Sequence, residues 1–369
     1  MKKLLAILAL ILVGVVTLMA YRAITVFEDR QPDPVAGFTQ IRINEQDAVQ
    51  RFSRALTFPT VSYDDRNRFD ARSFRDFHEF LRAAFPLVHR QAVRTVVNDF
   101  SLVYHVEGSD PGLEPVLFMS HFDVVPVEEH TLNEWTFPPF SGTVADGVVW
   151  GRGSVDDKIG VMALLESLEA LLADGFQPRR SLYFAFGHDE EVGGGDGAAH
   201  VAEFFERQGI RFEFVLDEGG AVTQGMLEGV DRPVAVVGIS EKGYVNLLLS
   251  VDAPGGHSSQ PPEQSALGII ARAIVQVEEQ PFPARLDYLL PTFEAIGAFM
   301  PFGSRLAMSN LWLLSPLVKH QLLQDKDSAA GIRTTTAATM ASGSPKSNIL
   351  PTRATAVLNF RILPGETVE

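Results

Sequence analysis

The chain has 369 residues, of which 46% are hydrophobic and 21% charged, which suits two domains with buried cores and excludes a disordered or low-complexity polymer. A formal net charge of −15 argues against nucleic acid as a partner, because such a footprint is basic. Without a single cysteine, the chain has no disulfides, thiolate metal sites, cysteine nucleophiles or lipid-modified cysteines, so any bound metal must rely on His, Asp and Glu.

Lys2 and Lys3 precede an apolar run from Leu4 to Ala20 in which Thr17 is the one polar residue. As a helix the run reaches about 26 Å, the short end of a bilayer span. It exceeds the roughly 7–15 residues of a usual signal-peptide core, which favours a retained signal anchor within residues 1–27. Cleavage after Leu18-Met19-Ala20, a poor small-residue site, is the alternative and would give a secreted protein. In both cases the lysines stay inside and the body is exported to the periplasmic or extracellular side. Residues 28–40 are polar, contain Pro32 and Pro34, and read as a tether.

Ile43 to Leu56 has helical spacing, and Phe58 opens an extended stretch. Arg72 to Phe85 places Phe74, Phe77, Phe80 and Leu81 on one helical face. Ser101–Val106 reads as a hairpin-like strand, and further strands are predicted at Pro115–Ser120, Ser181–Phe186 and Phe212–Leu216. Lys158 to Leu172 is apolar nearly all round, which predicts a buried helix stopped at Gly175. This alternation predicts an α/β layer over residues 41–235. Over residues 236–366 the character changes. Strands at Val234–Ser240, Tyr244–Val251, Ile332–Thr336 and Ala354–Ile362, with an amphipathic helix at Gln264–Glu279, predict a smaller α+β domain. Pro281 to Asp327 is rich in proline and apolar residues without a clear period, and no element is predicted there.

Four acid-rich clusters lie at or near the ends of the apolar runs: His121-Phe-Asp123, Asp156-Asp157-Lys158, Asp189-Glu190-Glu191 and Asp217-Glu218. In a parallel sheet the carboxyl ends of strands share one edge, where ligands collect. The convergence of one imidazole with several carboxylates is a zinc-type donor set, with more carboxylates than a single ion needs. An isolated H-x-D is most simply a cap or core pair; here Asp123 would fix the tautomer of His121. Asp156 and Asp157 precede the apolar helix, and although either can cap it, two adjacent acids exceed what a cap requires. Asp156 suits a bridge between two cations and Asp157 a cap or support. In Asp189-Glu190-Glu191 the bland alternative is a solvated acidic loop. Adjacent carboxylates repel unless cations compensate, so one, Glu191, suits a metal and Glu190 a proton shuttle. One of Asp217 and Glu218 should be a further ligand. Gly255-Gly-His257-Ser-Ser is by itself a surface turn, though a histidine behind two glycines can reach a developing oxyanion.

Taken together, His121-Phe-Asp-Val-Val-Pro, Trp150-Gly-Arg-Gly-x-x-Asp-Asp-Lys, Asp189-Glu-Glu-Val-Gly-Gly, Leu216-Asp-Glu-Gly-Gly and Gly255-Gly-His-Ser-Ser resemble the aminoacylase and carboxypeptidase S family of dinuclear zinc exopeptidases. The carboxypeptidase S branch, with its N-fatty-acyl-amino-acid hydrolases, is the nearest likeness, and the resemblance runs from about Phe58 to the end. It implies an α/β catalytic domain with a mostly parallel central sheet and a smaller α+β lid or dimerisation domain. It implies two zinc ions and a small N-acyl amino acid or short peptide as substrate. His121 is implied as a ligand oriented by Asp123, with Asp156 bridging, Glu190 as general base and Glu191 on the second zinc. Glu218 is favoured over Asp217 as a ligand to the first. His257 resembles the lid histidine that stabilises the tetrahedral intermediate, often across a dimer interface, which implies a homodimer. Asn348 and Arg361 resemble lid residues that hold the substrate's carboxylate, a task suited to the guanidinium fork.

Family members carry a last zinc-ligating histidine after the lid, whereas the only histidine beyond His257 here is His320. The expectation is a fragment in which residues 367–369 start a missing second half of the catalytic domain. Such a fragment would expose an apolar face and an open strand edge, and would be poorly soluble and catalytically crippled. Two other readings stand beside the hydrolase: an inactive, membrane-anchored binding or interaction module, and a single-metal amidohydrolase that would not need both Asp156 and the Glu190-Glu191 pair.

Overall fold

The computed structural model describes residues 1–32, 41–225 and 229–368, so much of the expected tether, Pro34 included, lies outside the described residues. The chain divides into two compact units, with boundaries between residues 34 and 35 and between 219 and 220. The N-terminal helix α1 (Lys2–Thr25) belongs with the C-terminal unit.

The first unit is built on α2 (Glu45–Ala55), α3 (Ala71–Ala84), α4 (Pro86–Gln91), the strands β1 (Val93–Val97), β2 (Ser101–Val106) and β3 (Val116–His121), and the short hairpin β4 (Thr143–Ala145) and β5 (Val148–Trp150). It continues with α5 (Lys158–Ala173), β6 (Leu182–Gly187), α6 (Ala198–Arg207) and β7 (Phe214–Leu216). Its central sheet has the order β1-β2-β6-β3-β7. β3 runs parallel to both β6 and β7, while β2 pairs antiparallel with β6 and with β1. The expected hairpin strand is thus β2, and the three strands ahead of acid clusters end on one edge.

One face of this sheet packs on an aromatic core in which Phe74, Phe77, Phe85, Tyr104, Phe122 and Phe186 are fully buried. α3 contributes Phe74, Phe77 and Leu81 because their spacing puts them on one stripe. α5 adds Val161, Met162, Leu165 and Leu168, and ends as its sequence suggests: Gly175 adopts φ +76°, the left-handed conformation in which glycine carries no Cβ penalty. The opposite face packs on α6 through Val201 and Phe205. β7 sits at the sheet edge, and its Phe214, Val215 and Leu216 are each about half exposed.

The second unit contains the hairpin β8 (Ala221–Thr223) and β9 (Val234–Val236), then β10 (Gly243–Asp252), β11 (Gly256–His257) and α7 (Ala266–Glu278). Four short helices follow, α8 (Leu290–Ile296), α9 (Phe302–Met308), α10 (Leu311–Leu322) and α11 (Lys326–Ile332), then β12 (Thr335–Ser342), β13 (Ile349–Leu350) and β14 (Arg353–Ile362). Its sheet is antiparallel, in the order β10-β14-β12, and α7 buries Ala266 and Ile270 against Ala354 and Ala356. The expected strand at Ile332–Thr336 is instead the end of α11 followed by the start of β12. That predicted at Val234–Ser240 is confined to Val234–Val236.

Candidate metal centre

The carboxyl edge of β6-β3-β7 gathers three of the four acid clusters, and the loop before α5 brings the fourth. His121, the last residue of β3, is 2% exposed. Its Nε2 faces three carboxylates: Asp156 Oδ1 at 2.9 Å, Glu218 Oε1 at 3.5 Å and Glu190 Oε2 at 3.8 Å. Ligand atoms of His121, Asp156 and Glu218 all lie within 4.8 Å of one another. Glu218 enters this group; Asp217 instead accepts the Glu218 N–H and lines the adjoining cavity of about 250 Å³.

Asp123 is completely buried and serves three donors. Its Oδ1 lies 3.2 Å from His121 Nδ1 and accepts the Glu190 N–H at 3.1 Å, and its Oδ2 accepts the Glu191 N–H at 3.1 Å. One carboxylate therefore orients the imidazole and also fixes the backbone turn that carries the two glutamates. Only the first of these tasks was legible from H-x-D. Nothing local in the sequence marks the second, because it joins segments about 67 residues apart through backbone donors.

Asp157 divides the labour of the acid pair with Asp156. It is buried, caps α5 by accepting the Gly160 N–H at 3.2 Å, and accepts the Ser120 hydroxyl at 2.5 Å, while Asp156 stays largely exposed and faces His121. Glu191 is turned to the Val125 N–H at 3.2 Å and stands outside the three-residue group. Lys158, the first residue of α5, is fully buried. Its Nζ donates to the Phe58 carbonyl at 2.5 Å and lies 5.2 Å from the Phe77 ring, and burial lowers its pKa to about 7.

The electrostatics of the centre are those of a carboxylate cluster seeking a cation. Burial opposes a charge on His121, but the Asp123 hydrogen bond and charge, with Glu218 and Glu190, outweigh it and raise the imidazole to about 10. Burial also lifts Glu218 to about 7 and raises Glu190 and Glu191, helped by the neighbouring acids and opposed by His121. The imidazolium proton thus stands where a metal cation would relieve the same repulsion. The donor set, one nitrogen with carboxylate oxygens, fits zinc chemistry.

The remaining residues lie in the second unit. His257 pairs with Ile349 across β11 and β13, and the Ser258 N–H donates to the Asn348 carbonyl at 3.1 Å, so His257 and Asn348 adjoin. His257 Nδ1 accepts the Ser259 N–H at 3.2 Å, which leaves Nε2 as the proton-bearing nitrogen. Arg361 is not brought to them. It lies near the far end of β14, opposite Tyr244 on β10, with its guanidinium 4.7 Å from the Tyr244 ring. The eight-residue rise from Arg353 to Arg361 separates it from the β13 end of that strand by about 26 Å.

Known proteins with comparable sequences and folds share this architecture. The model of peptidase family M20/M25/M40 matches residues 117–331. The chain is 40% identical over 368 residues to the probable carboxypeptidase S-like 2 of Dictyostelium discoideum, covering 97% of this chain and 70% of that protein. It is 38% identical over 325 residues to the N-fatty-acyl-amino acid synthase/hydrolase PM20D1.1 of Danio rerio, covering 87% of this chain and 62% of that protein. The chain therefore spans 62–70% of the length of these two relatives. In fold it is similar to the M20 family metallo-carboxypeptidase Sso-CP2 from Sulfolobus solfataricus, with a TM-score of 0.58 at 18% identity over 86% of this chain and 72% of that one. Human carnosine dipeptidase 1 is also similar, with a TM-score of 0.54 at 17% identity, over 88% of this chain and 71% of that one.

Proposed function

The chain belongs to peptidase family M20/M25/M40, and from that premise we propose that it hydrolyses the amide of N-acyl amino acids or releases the C-terminal residue of short peptides. The observation that carries this reading is the convergence of His121, Asp156 and Glu218 beside Glu190. The names of the relatives, a carboxypeptidase and an N-fatty-acyl-amino acid synthase/hydrolase, support this substrate class.

His121, Asp156 and Glu218 would hold one zinc ion, and Asp156 with Glu191 a second. When bound, such ions polarise a scissile carbonyl and acidify water. Glu190 takes the proton of the attacking water and returns it to the leaving amine. A carboxyl raised by burial suits both halves of that shuttle. Asp123 keeps the turn beneath Glu190 in place through two backbone N–H groups. His257 donates its Nε2–H to the developing oxyanion. Arg361 and Asn348 hold the substrate's carboxylate. They lie at opposite ends of one strand system, and in this reading a homodimer through the lid would bring Arg361 of one copy and Asn348 of the other to a single carboxylate. The body acts on the exported side of a membrane, tethered by α1 or released by its cleavage: α1 is long and apolar enough to span, and a signal sequence has the same character.

Glu190→Gln tests the assignment. Zinc binding should persist while turnover of N-acyl amino acids falls about 10²–10⁴-fold. Full activity in the zinc-loaded variant would remove Glu190 from the reaction. The side chains that converge, His121, Asp156 and Glu218 beside Glu190, are those hydrolysis uses and favour this reading, while the lack of a counterpart to the family's last zinc-ligating histidine is what the binding-module alternative rests on.

A further inference from the structure

We propose that the outer face of α9 and α10 rests on the lipid surface of the membrane that α1 enters, with Trp312 as its interfacial anchor. The proposal depends on α1 remaining attached and is independent of the hydrolase reading.

Three observations lead to it. First, α1 contains an 18-residue window of mean hydropathy 2.7 with none of its residues buried by protein, so lipid is the environment that suits it. Second, the carboxyl end of α1 is fixed to the second unit. Arg22 Nε donates to the Ser309 carbonyl at 2.8 Å, and Asn310 Nδ2 donates to the Met19 carbonyl at 3.1 Å. Phe27 lies so close over Gly297 that a Cβ there would overlap its ring, and Gln31 Nε2 reaches the Ala295 carbonyl at 3.0 Å. Met19 is the penultimate residue of the apolar run, so at about 1.5 Å per residue the attachment lies within a helical turn of the hydrocarbon boundary.

Third, the part so attached is apolar on its outside. Trp312, Leu313, Pro316 and Leu317 follow the i, i+1, i+4, i+5 pattern of one helical side, with Trp312 57% and Leu317 61% exposed. The opposite side of α10 supplies Leu311, Val318 and Leu322 to the local core, so the exposed stripe is a second apolar face and not the inward one. Phe302 on α9 is also about half exposed. Trp312 Nε1 donates to Asn310 Oδ1 at 3.2 Å, and Asn310 is the residue that holds Met19. The tryptophan is thus tied through one side chain to the boundary of the span. An indole with one polar atom satisfied and an apolar body exposed is the side chain enriched at membrane interfaces.

The natural absence of cysteine makes the test direct. The full chain, with α1 verified by mass, is reconstituted in phosphatidylcholine–phosphatidylglycerol vesicles carrying an environment-sensitive fluorophore at Leu317→Cys, and in a companion preparation at Leu313→Cys. A nitroxide on the lipid just below the headgroup should quench both positions several-fold more than a water-soluble nitroxide. Preferential quenching from water would overturn the proposal. So would shielding from both quenchers that disappears as the protein-to-lipid ratio is lowered, which would assign the face to a second copy of the chain.

Discussion

The two edges that carry the candidate site residues are built in opposite ways. At the carboxyl edge of β6-β3-β7, His121, Asp123 and Asp157 are almost without solvent, and their polar atoms are met from several elements. At β11–β13, His257 is exposed, and among the described residues its ring is held only by Ser259, two residues away. The contrast separates two requirements. Donors for a cation must be pre-placed against their own repulsion, which needs a rigid, buried frame. Groups that meet a substrate need access, and an exposed turn supplies it.

If the first edge depends on its aromatic support, Phe77→Ala should have the largest effect. Phe77 is fully buried, with ring centroids 5.2 Å from Phe122 and 5.7 Å from Phe58. Its truncation should cost about 3–5 kcal/mol in urea unfolding of the first unit. A loss near that of a surface substitution would contradict the frame drawn above.

His78 sharpens the same point through pH. It is buried, its Nε2 lies 2.8 Å from the Phe100 carbonyl, and burial with the nearby Arg94 charge lowers its pKa from 6.5 to about 4. Between those values the unfolded chain binds more protons than the folded one. Stability is therefore full above about pH 6.5 and falls as the pH drops toward 4, by up to about 3 kcal/mol. Unfolding midpoints of wild type and His78→Gln across this window give the check. Identical slopes would show that His78 does not carry the effect.

Asp123→Asn keeps the volume but removes the charge and one acceptor. Zinc affinity, read by chelator competition, should weaken about 10–100-fold, or about 1.4–2.7 kcal/mol. Unchanged affinity would mean that the imidazole is positioned without Asp123. The smallest effect belongs to the open edge: His257→Ala should shift stability by no more than about 0.5 kcal/mol. A large shift in its thermal midpoint would show that the turn is part of a packed core after all.

What the sequence disclosed follows the same division. The strands β3 and β6, the helix α5 and the stop at Gly175 were legible because apolar runs, their flanking acids and a glycine mark them locally. The second unit's β10, α7 and β14 were legible within two residues at either end for the same reason. The stretch Pro281 to Asp327 was not. Its helices α8 and α9 have seven residues each, too few to display a period, α10 contains Pro316, and its apolar residues lie on both sides. At the centre, residue types and their order already pointed to Asp156 over Asp157, and the resemblance to Glu218 over Asp217. What stayed hidden was the hold of Asp123 on the Glu190–Glu191 turn and the turning of Glu191 toward the Val125 N–H, because both depend on backbone geometry joining distant segments.

Asp123 grips the Glu190–Glu191 turn by its amides and leaves the two side chains out of that contact. The backbone conformation at those positions is thereby decoupled from the identity of what they display. Residue 190 can be exchanged, for an amide, a shorter acid or a label, with the hold on the peptide chain retained. The side chain at this position is a replaceable cartridge in a fixed housing, so its chemistry can be changed without rebuilding the protein around it.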